Sequence, residues 1–373
     1  MTEERAGKDP EFLPFIDVLR GIAILMVVVV HTSLSVPGLS PKIRNVAGFG
    51  QMGVQLFFLV SAYTLARSLT LRSDESSSLA RYFIRRWFRI APLYLCAIPL
   101  YAVMDAVGTR YVTGIWQMGP QYGPVGIIVN GLLMNGLFPR WNNSVVPGGW
   151  SVGTEVLFYL MLPALATAIA RSGRTRWNCA RWFAASLIFA CACAPAVAAF
   201  AGEPILNNGF AYFFVVNQLP VFIAGLFAFY LEPKTGIRRA TAANIVGCAV
   251  LSGAVLILLL REDSLQKVVG LPALSALAFW CLLNVARTMK ASALRWVAAC
   301  GTVSYSMYVC HFLFAYYGTV LVSEILTTRF SPPVVFVVCL TGSAAASYAL
   351  ARVTYAAVER PFVRLGKRLI ARL

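Results

Sequence analysis

Apolar runs of about twenty residues return along this 373-residue chain from one end to the other, and no other feature restricts its fold as strongly. A helix of that length spans about 30 Å, the hydrocarbon thickness of a bilayer, and no soluble domain has an interior that hides so many of them. The runs fall near 12–36, 51–71, 90–107, 150–170, 183–201, 211–231, 241–260, 268–286, 298–322 and 334–357. Hydrophobic residues make up 59% of the chain and charged residues 13%, against about a quarter charged in soluble domains. Mean hydropathy is +0.71. The expected fold class is all-α: a polytopic integral membrane protein of about ten transmembrane helices, forming one domain over 1–373.

Ten crossings leave both termini on the same side. The net charge of +17 tells which side, because the basic residues are unevenly placed. One set of connections carries the arginines of 72–89, those of 171–181, Arg287, Lys290, Arg295 and the tail from Arg360 to Arg372. The same side takes Arg5, Lys8, Lys234, Arg238 and Arg239. The opposite loops hold only Lys42, Arg44, Arg110, Arg140, Arg261, Lys267 and Arg329. The positive-inside rule then puts both termini in the cytoplasm, with the protein multi-pass in the inner membrane. The charge is thus topological: it implies membrane lipids as partners and no nucleic acid. The charged N-terminal stretch TEERAGKDPE and the lack of a small-residue cleavage site read as an uncleaved signal anchor. Residues 124–138 are apolar but span only about 22 Å and are broken by Asn130, Gly131, Asn135 and Gly136, so a re-entrant or interfacial helix on the outer side is expected. The nine cysteines lie mostly inside apolar runs without a CxxC pair, as small hydrophobes do, and no metal site is expected.

In so apolar a chain the ionisable residues stand out, since each costs about 2.5–3.5 kcal/mol inside a span. Arg20 and His31 sit eleven residues apart in LRGIAILMVVVVHT. Eleven residues are close to three turns, so both project from one face, about 16 Å apart along the axis. Asp17, at i, i+3 from Arg20, pairs with it and lowers the burial cost. Glu155, in GGWSVGTEVLFYLMLP, reaches a depth similar to that of His31, where a carboxylate would orient or polarise the imidazole. In LARYFIRRWFRIAPLYL, Arg81, Arg85 and Arg89 form a stripe at i, i+4, i+8 with Arg86 beside it. Such a stripe either rests on anionic headgroups or docks a polyanion, because clustered guanidiniums bind phosphates bidentately. A third group, GTVSYSMYVCHFLF, places Ser304, Tyr305, Ser306, Tyr308 and His311 in a span, with Tyr308 and His311 on one side. Polar stripes of this width line cavities or close interhelical hydrogen bonds. Glu359, before Pro361, is placed to pair with the arginine cluster. Ser61, Trp150 and Ser151 complete the candidates, the serines as nucleophiles with no paired base evident in sequence.

Taken in order, LRGIAILMVVVVH, GVQLFFLVSAYTLARSL, RRWFRIAPLYL, GGWSVGTEVLFYLMLP, SYSMYVCHF and ERPFVRL resemble the membrane-bound acyltransferase 3 family across essentially the whole chain. That family includes O-antigen, capsule, exopolysaccharide and nodulation-factor acetylases. The resemblance implies acyl-CoA from the cytoplasm as donor, with acetyl-CoA the expected form. It also implies an acceptor hydroxyl on a sugar, polysaccharide or lipid-linked glycan, an O-acetylation that modifies polysaccharide. Within the family the arginine–histidine pair, here Arg20 and His31, and the RxxR element, here Arg86 and Arg89, carry activity. On this basis His31 acts as general base in a direct transfer and Glu155 orients it. Arg81, Arg85, Arg86 and Arg89 bind the phosphates of CoA, and Arg20 lies along the donor's path. A covalent acyl-imidazole on His31 is the less favoured route. Two positions depart from the family: Ser61-Ala62 replaces Ser-Gly, and WSVGTE replaces WSLS-x-E; Ala62 narrows a close helix contact. No appended SGNH-type esterase domain is expected. The rival from another class is a transporter or flippase, since intramembrane His, Glu and Arg also build proton relays, although no inverted repeat is discernible. Either is compatible with a homo-oligomer.

The charge bias makes the topology testable. A membrane-impermeant maleimide should label Arg140→Cys in intact cells and Arg364→Cys only after permeabilisation, each compared with the parent chain. The opposite pattern would invert the orientation.

Overall fold

The computed structural model describes residues 13–72, 78–232 and 242–373. Arg5, Lys8, Lys234, Arg238 and Arg239, expected on the inner side, lie outside these segments. The regular structure of the described residues is helical, and ten helices are long and apolar enough to cross a membrane. In chain order α1 is Pro14–Ser35, and α2 (Pro41–Gly48) runs through a 3-10 turn into α3 (Gly53–Leu71). Next come α4 (Ser78–Thr113), α5 (Pro124–Gly131), α6 (Gly149–Ser172), α7 (Arg176–Ala201), the single turn α8 (Phe210–Phe213) and α9 (Val215–Tyr230). After them lie α10 (Ala242–Leu259), α11 (Leu265–Ala286), α12 (Arg295–Thr302), α13 (Ser304–Phe312), α14 (Thr319–Leu326), α15 (Pro332–Thr354) and α16 (Arg360–Ile370). Two π-helical turns interrupt the last spans, Leu313–Gly318 between α13 and α14 and Tyr355–Glu359 between α15 and α16. Such turns recur at functional sites because they re-aim neighbouring side chains.

Two boundaries differ instructively from the hydropathy runs. The third run was expected from residue 90, yet α4 begins at Ser78, so the arginines of 81–89 lie on the span itself. Hydropathy stops at the first arginines, whereas Arg and Leu are good helix formers and the chain continues without a break. The short segment at 124–138 folds as expected for one that does not cross: α5 has eight residues and is followed by 3-10 turns. Its interrupting asparagines are its ties. Tyr94 donates to Asn130 Oδ1 at 2.8 Å, and Asn135 Nδ2 donates to the carbonyls of Asn142 and Gly149 at 3.0 and 2.9 Å. Without water in the hydrocarbon region, irregular backbone persists only where such partners satisfy it.

Helix α1 occupies the centre, packed against α3, α12 and α15, and α9 is the most enclosed span while α10 lies at the periphery. Lipid gives no hydrophobic drive between helices, so close van der Waals approach has to hold them, and glycine permits it. A Cβ on Gly301 of α12 would stand 1.8 Å from the carbonyl oxygen of Asp17, and one on Gly21 would stand 1.9 Å from that of Val297. On the α3 side, Gly50 and Gly53 approach the carbonyls of Met26 and Ala23 in the same way. Ala62 is accommodated too: Gly225 of α9 faces it and the Leu59 carbonyl, so the extra methyl is met by a missing one.

These contacts predict that Gly301→Ala, which drives a methyl into backbone, lowers the melting temperature of the solubilised protein by the equivalent of about 1–3 kcal/mol. Gly48→Ala, with nothing within 4 Å, should leave it unchanged.

Candidate active site

Two spans deliver cations to one polar cavity. Arg20 comes from α1, and Arg86 with Arg89 comes from α4, where i, i+3 spacing puts them on adjacent positions of one face. Ser61 and Thr64 line the cavity from α3, Ser151, Glu155 and Tyr159 from α6, and Ser304, Tyr305 and Tyr308 from α13. About 80 Å³ of it is open to water, room for several molecules. A second hollow shares Arg20, Thr64, Arg86 and Arg89 with it and adds Asp17, Arg67 and Ser68, so the polar space continues toward the N-terminal end of α1 and the C-terminal end of α3.

The carboxylates sit among these cations. Asp17 lies 3.9 Å from Arg20, the pairing expected from their spacing. Glu155 accepts hydrogen bonds from Ser61 and, at 2.6 Å, from Tyr159, and it is within Coulombic range of Arg20, Arg86 and Arg89. Glu359, at the end of the second π turn, accepts from Ser306 at 2.8 Å and lies in the field of Arg89, as its position in sequence suggested. Among the described residues, four arginines, counting Arg67, thus face three carboxylates. The Nε of Arg86 is buried and has no hydrogen-bond partner among the described residues. A buried donor without a partner is costly, and a phosphate oxygen or water would satisfy it.

Toward the other face, Tyr308 closes the cavity. Its hydroxyl donates to the Gly148 carbonyl at 3.1 Å and receives the hydroxyl of Ser151 at 2.8 Å. Beyond it lies the histidine pair. The ring centroids of Tyr308 and His311 are 5.4 Å apart, and His311 Nε2 is 3.2 Å from His31 Nδ1. His31 Nδ1 also faces the Val27 carbonyl at 2.9 Å, and His311 Nδ1 faces the Tyr308 carbonyl at 2.5 Å. Phe312 packs against both imidazoles, with centroid separations of 4.3 and 4.2 Å.

Several expectations are corrected here. Glu155 does not meet His31; its partners are Ser61 and Tyr159. The depth argument assumed that α6 starts at the membrane surface. Instead Gly148, just before α6, already packs against Phe312, which touches His31. Glu155, seven residues further on, therefore lies about 10 Å deeper. Arg81 and Arg85 line neither hollow, because they stand one to two turns nearer the N-terminal end of α4 than Arg89. Trp150 does not line the cavity either: it is buried, stacked on Phe213 at 4.4 Å and edge-on to Phe58. Arg67, Thr64 and Tyr159 went unnoticed in the sequence. Arg67 carried a signal, a lone cation late in the apolar run GVQLFFLVSAYTLARSL.

A family model described as an acyltransferase domain matches residues 13–352. No curated protein and no solved structure matches.

If Glu155 is the counter-charge of the arginine cavity, Glu155→Leu should destabilise the solubilised protein by on the order of 3 kcal/mol, the low end for an uncompensated buried charge given its contact with the wet cavity. Glu155→Gln, which still accepts from Tyr159, should cost less. Equal small shifts in melting temperature would remove that role.

Proposed function

The chain belongs to the acyltransferase 3 family, and from that premise we propose that it moves an acyl group, acetyl first among candidates, from cytoplasmic acyl-CoA to a hydroxyl of a sugar or lipid-linked glycan. The observation that carries this reading is the arginine-lined cavity, open through the Asp17–Arg67 hollow and ending at Tyr308, one ring from the histidine pair. An excess of guanidinium charge, including the unpartnered Arg86 Nε, suits the phosphates of CoA. Arg86 and Arg89 bind them, with Arg20 and Arg67 beside the path, and Glu155 and Glu359 keep the empty cavity from accumulating repulsion. Both termini are then cytoplasmic and the host is the inner membrane, where the donor is available.

The chemistry falls to His31. Its imidazole takes the proton of the acceptor hydroxyl, whose oxygen attacks the thioester carbonyl. A C–O bond forms as the C–S bond breaks, and the proton held on His31 passes to the departing thiolate. Reaching His31 from the cavity requires the donor's arm to pass the Tyr308–Ser151 contact, so that hydroxyl pair acts as the internal boundary between donor and acceptor sides.

In inside-out vesicles supplied with labelled acetyl-CoA, label should enter glycan or lipid, and His31→Ala should lower the rate by about 10²-fold or more. Arg86→Ala should act mainly by raising the KM for acetyl-CoA. Wild-type protein that never transfers label, or His31→Ala that still does, would defeat the proposal, and CoA-independent, proton-coupled uptake would point to transport.

A further inference from the structure

The chain holds two histidines, and the fold brings together residues 280 positions apart to join them. Their surroundings are unequal. His311 is fully buried and both of its ring nitrogens are committed, Nδ1 to the Tyr308 carbonyl and Nε2 to His31. His31 keeps part of its surface exposed, and only its Nδ1 is engaged.

Hydrogen positions follow from the partners. A carbonyl oxygen only accepts, so the Nδ1 of each ring carries the proton. With both rings neutral, His311 Nε2 has a lone pair, and His31 Nδ1–H is shared between that nitrogen and the Val27 carbonyl, a three-centre bond of the kind found in helices. One consequence matters for the reaction: His31 Nε2 is left unprotonated and uncommitted. Phe312, packed on both rings, shields the junction, so the bond operates away from water.

We infer that His311 is a positioning residue for His31: it accepts the Nδ1 proton of the general base, shares with the Val27 carbonyl the hold on the tautomer that frees Nε2, and stabilises the cation formed when Nε2 takes the acceptor's proton. This role rests on the assignment of His31 as base. It is the part that a carboxylate plays in many acid–base pairs, filled here by a neutral imidazole, which adds no further charge to a membrane interior.

The test uses the full-length protein. His311→Leu removes the acceptor, whereas His311→Gln returns a carbonyl oxygen near the place of Nε2. In labelled acetyl-CoA assays His311→Leu should lower kcat by more than about tenfold while moving the KM for acetyl-CoA by less than about twofold, and His311→Gln should recover most of the rate. Protein labelled with ¹⁵N-histidine contains only two imidazoles, so its nitrogen spectrum reads each tautomer. The wild type should show His31 protonated at Nδ1, and His311→Leu should shift the signal of that nitrogen as one of its two acceptors is lost. A wild-type spectrum with His31 protonated at Nε2 overturns the inference whatever the variants do. Equal losses in the Leu and Gln variants, or an undiminished His311→Leu, overturn it as well. Absence of transfer by the wild type defeats acyl transfer itself; transfer that needs His31 and ignores His311→Leu defeats only the positioning role.

Discussion

Cations inside an apolar bundle must be compensated, and the half of this protein that holds the N-terminal ends of α1 and α4 is organised around that constraint. Arg20, Arg86 and Arg89 come from two helices far apart in sequence, and three carboxylates from α1, α6 and the second π turn are drawn to them. Each carboxylate is itself anchored: Asp17 one turn from Arg20, Glu155 by Ser61 and Tyr159, Glu359 by Ser306. Among the described residues the arginines still outnumber the carboxylates by one.

The same helix that brings Arg20 to this cluster carries His31 about 16 Å away. Glycine contacts on two sides of α1 fix it rigidly enough for that distance to mean something, because backbone meets backbone with no side chain between to adjust. At the far end the charge disappears: the partners of His31 are a carbonyl and a second imidazole. The protein thus separates a charged region from a neutral one, with Tyr308 between them.

Much of this was legible in the chain. Length and periodicity of apolar runs gave ten spans and the failure of 124–138 to cross. The i, i+3 pairing of Asp17 with Arg20 and the one-sided placement of Tyr308 and His311 follow from spacing, and the nearness of Glu359 to the arginines from its place at the end of a span. What escaped was whatever depended on where a helix begins. The start of α6 within the fold moved Glu155 from His31 to the arginines, and the early start of α4 made the arginine stripe expected at the entry of the third span part of the span itself. Arg67 was hidden by the run that contains it.

The sequence by itself determined the membrane fold, the family's motifs and the identity of the charged groups, because lipid imposes one rule on every segment and helical spacing is local. Only the tertiary structure decided the pairings: that Glu155 serves the arginines, that Arg81, Arg85 and Trp150 stand outside the cavity, and that His31 meets His311. Those depend on relative heights and rotations of separate helices, set by glycine contacts and by the short segment at 124–138, and no spacing along one helix encodes them.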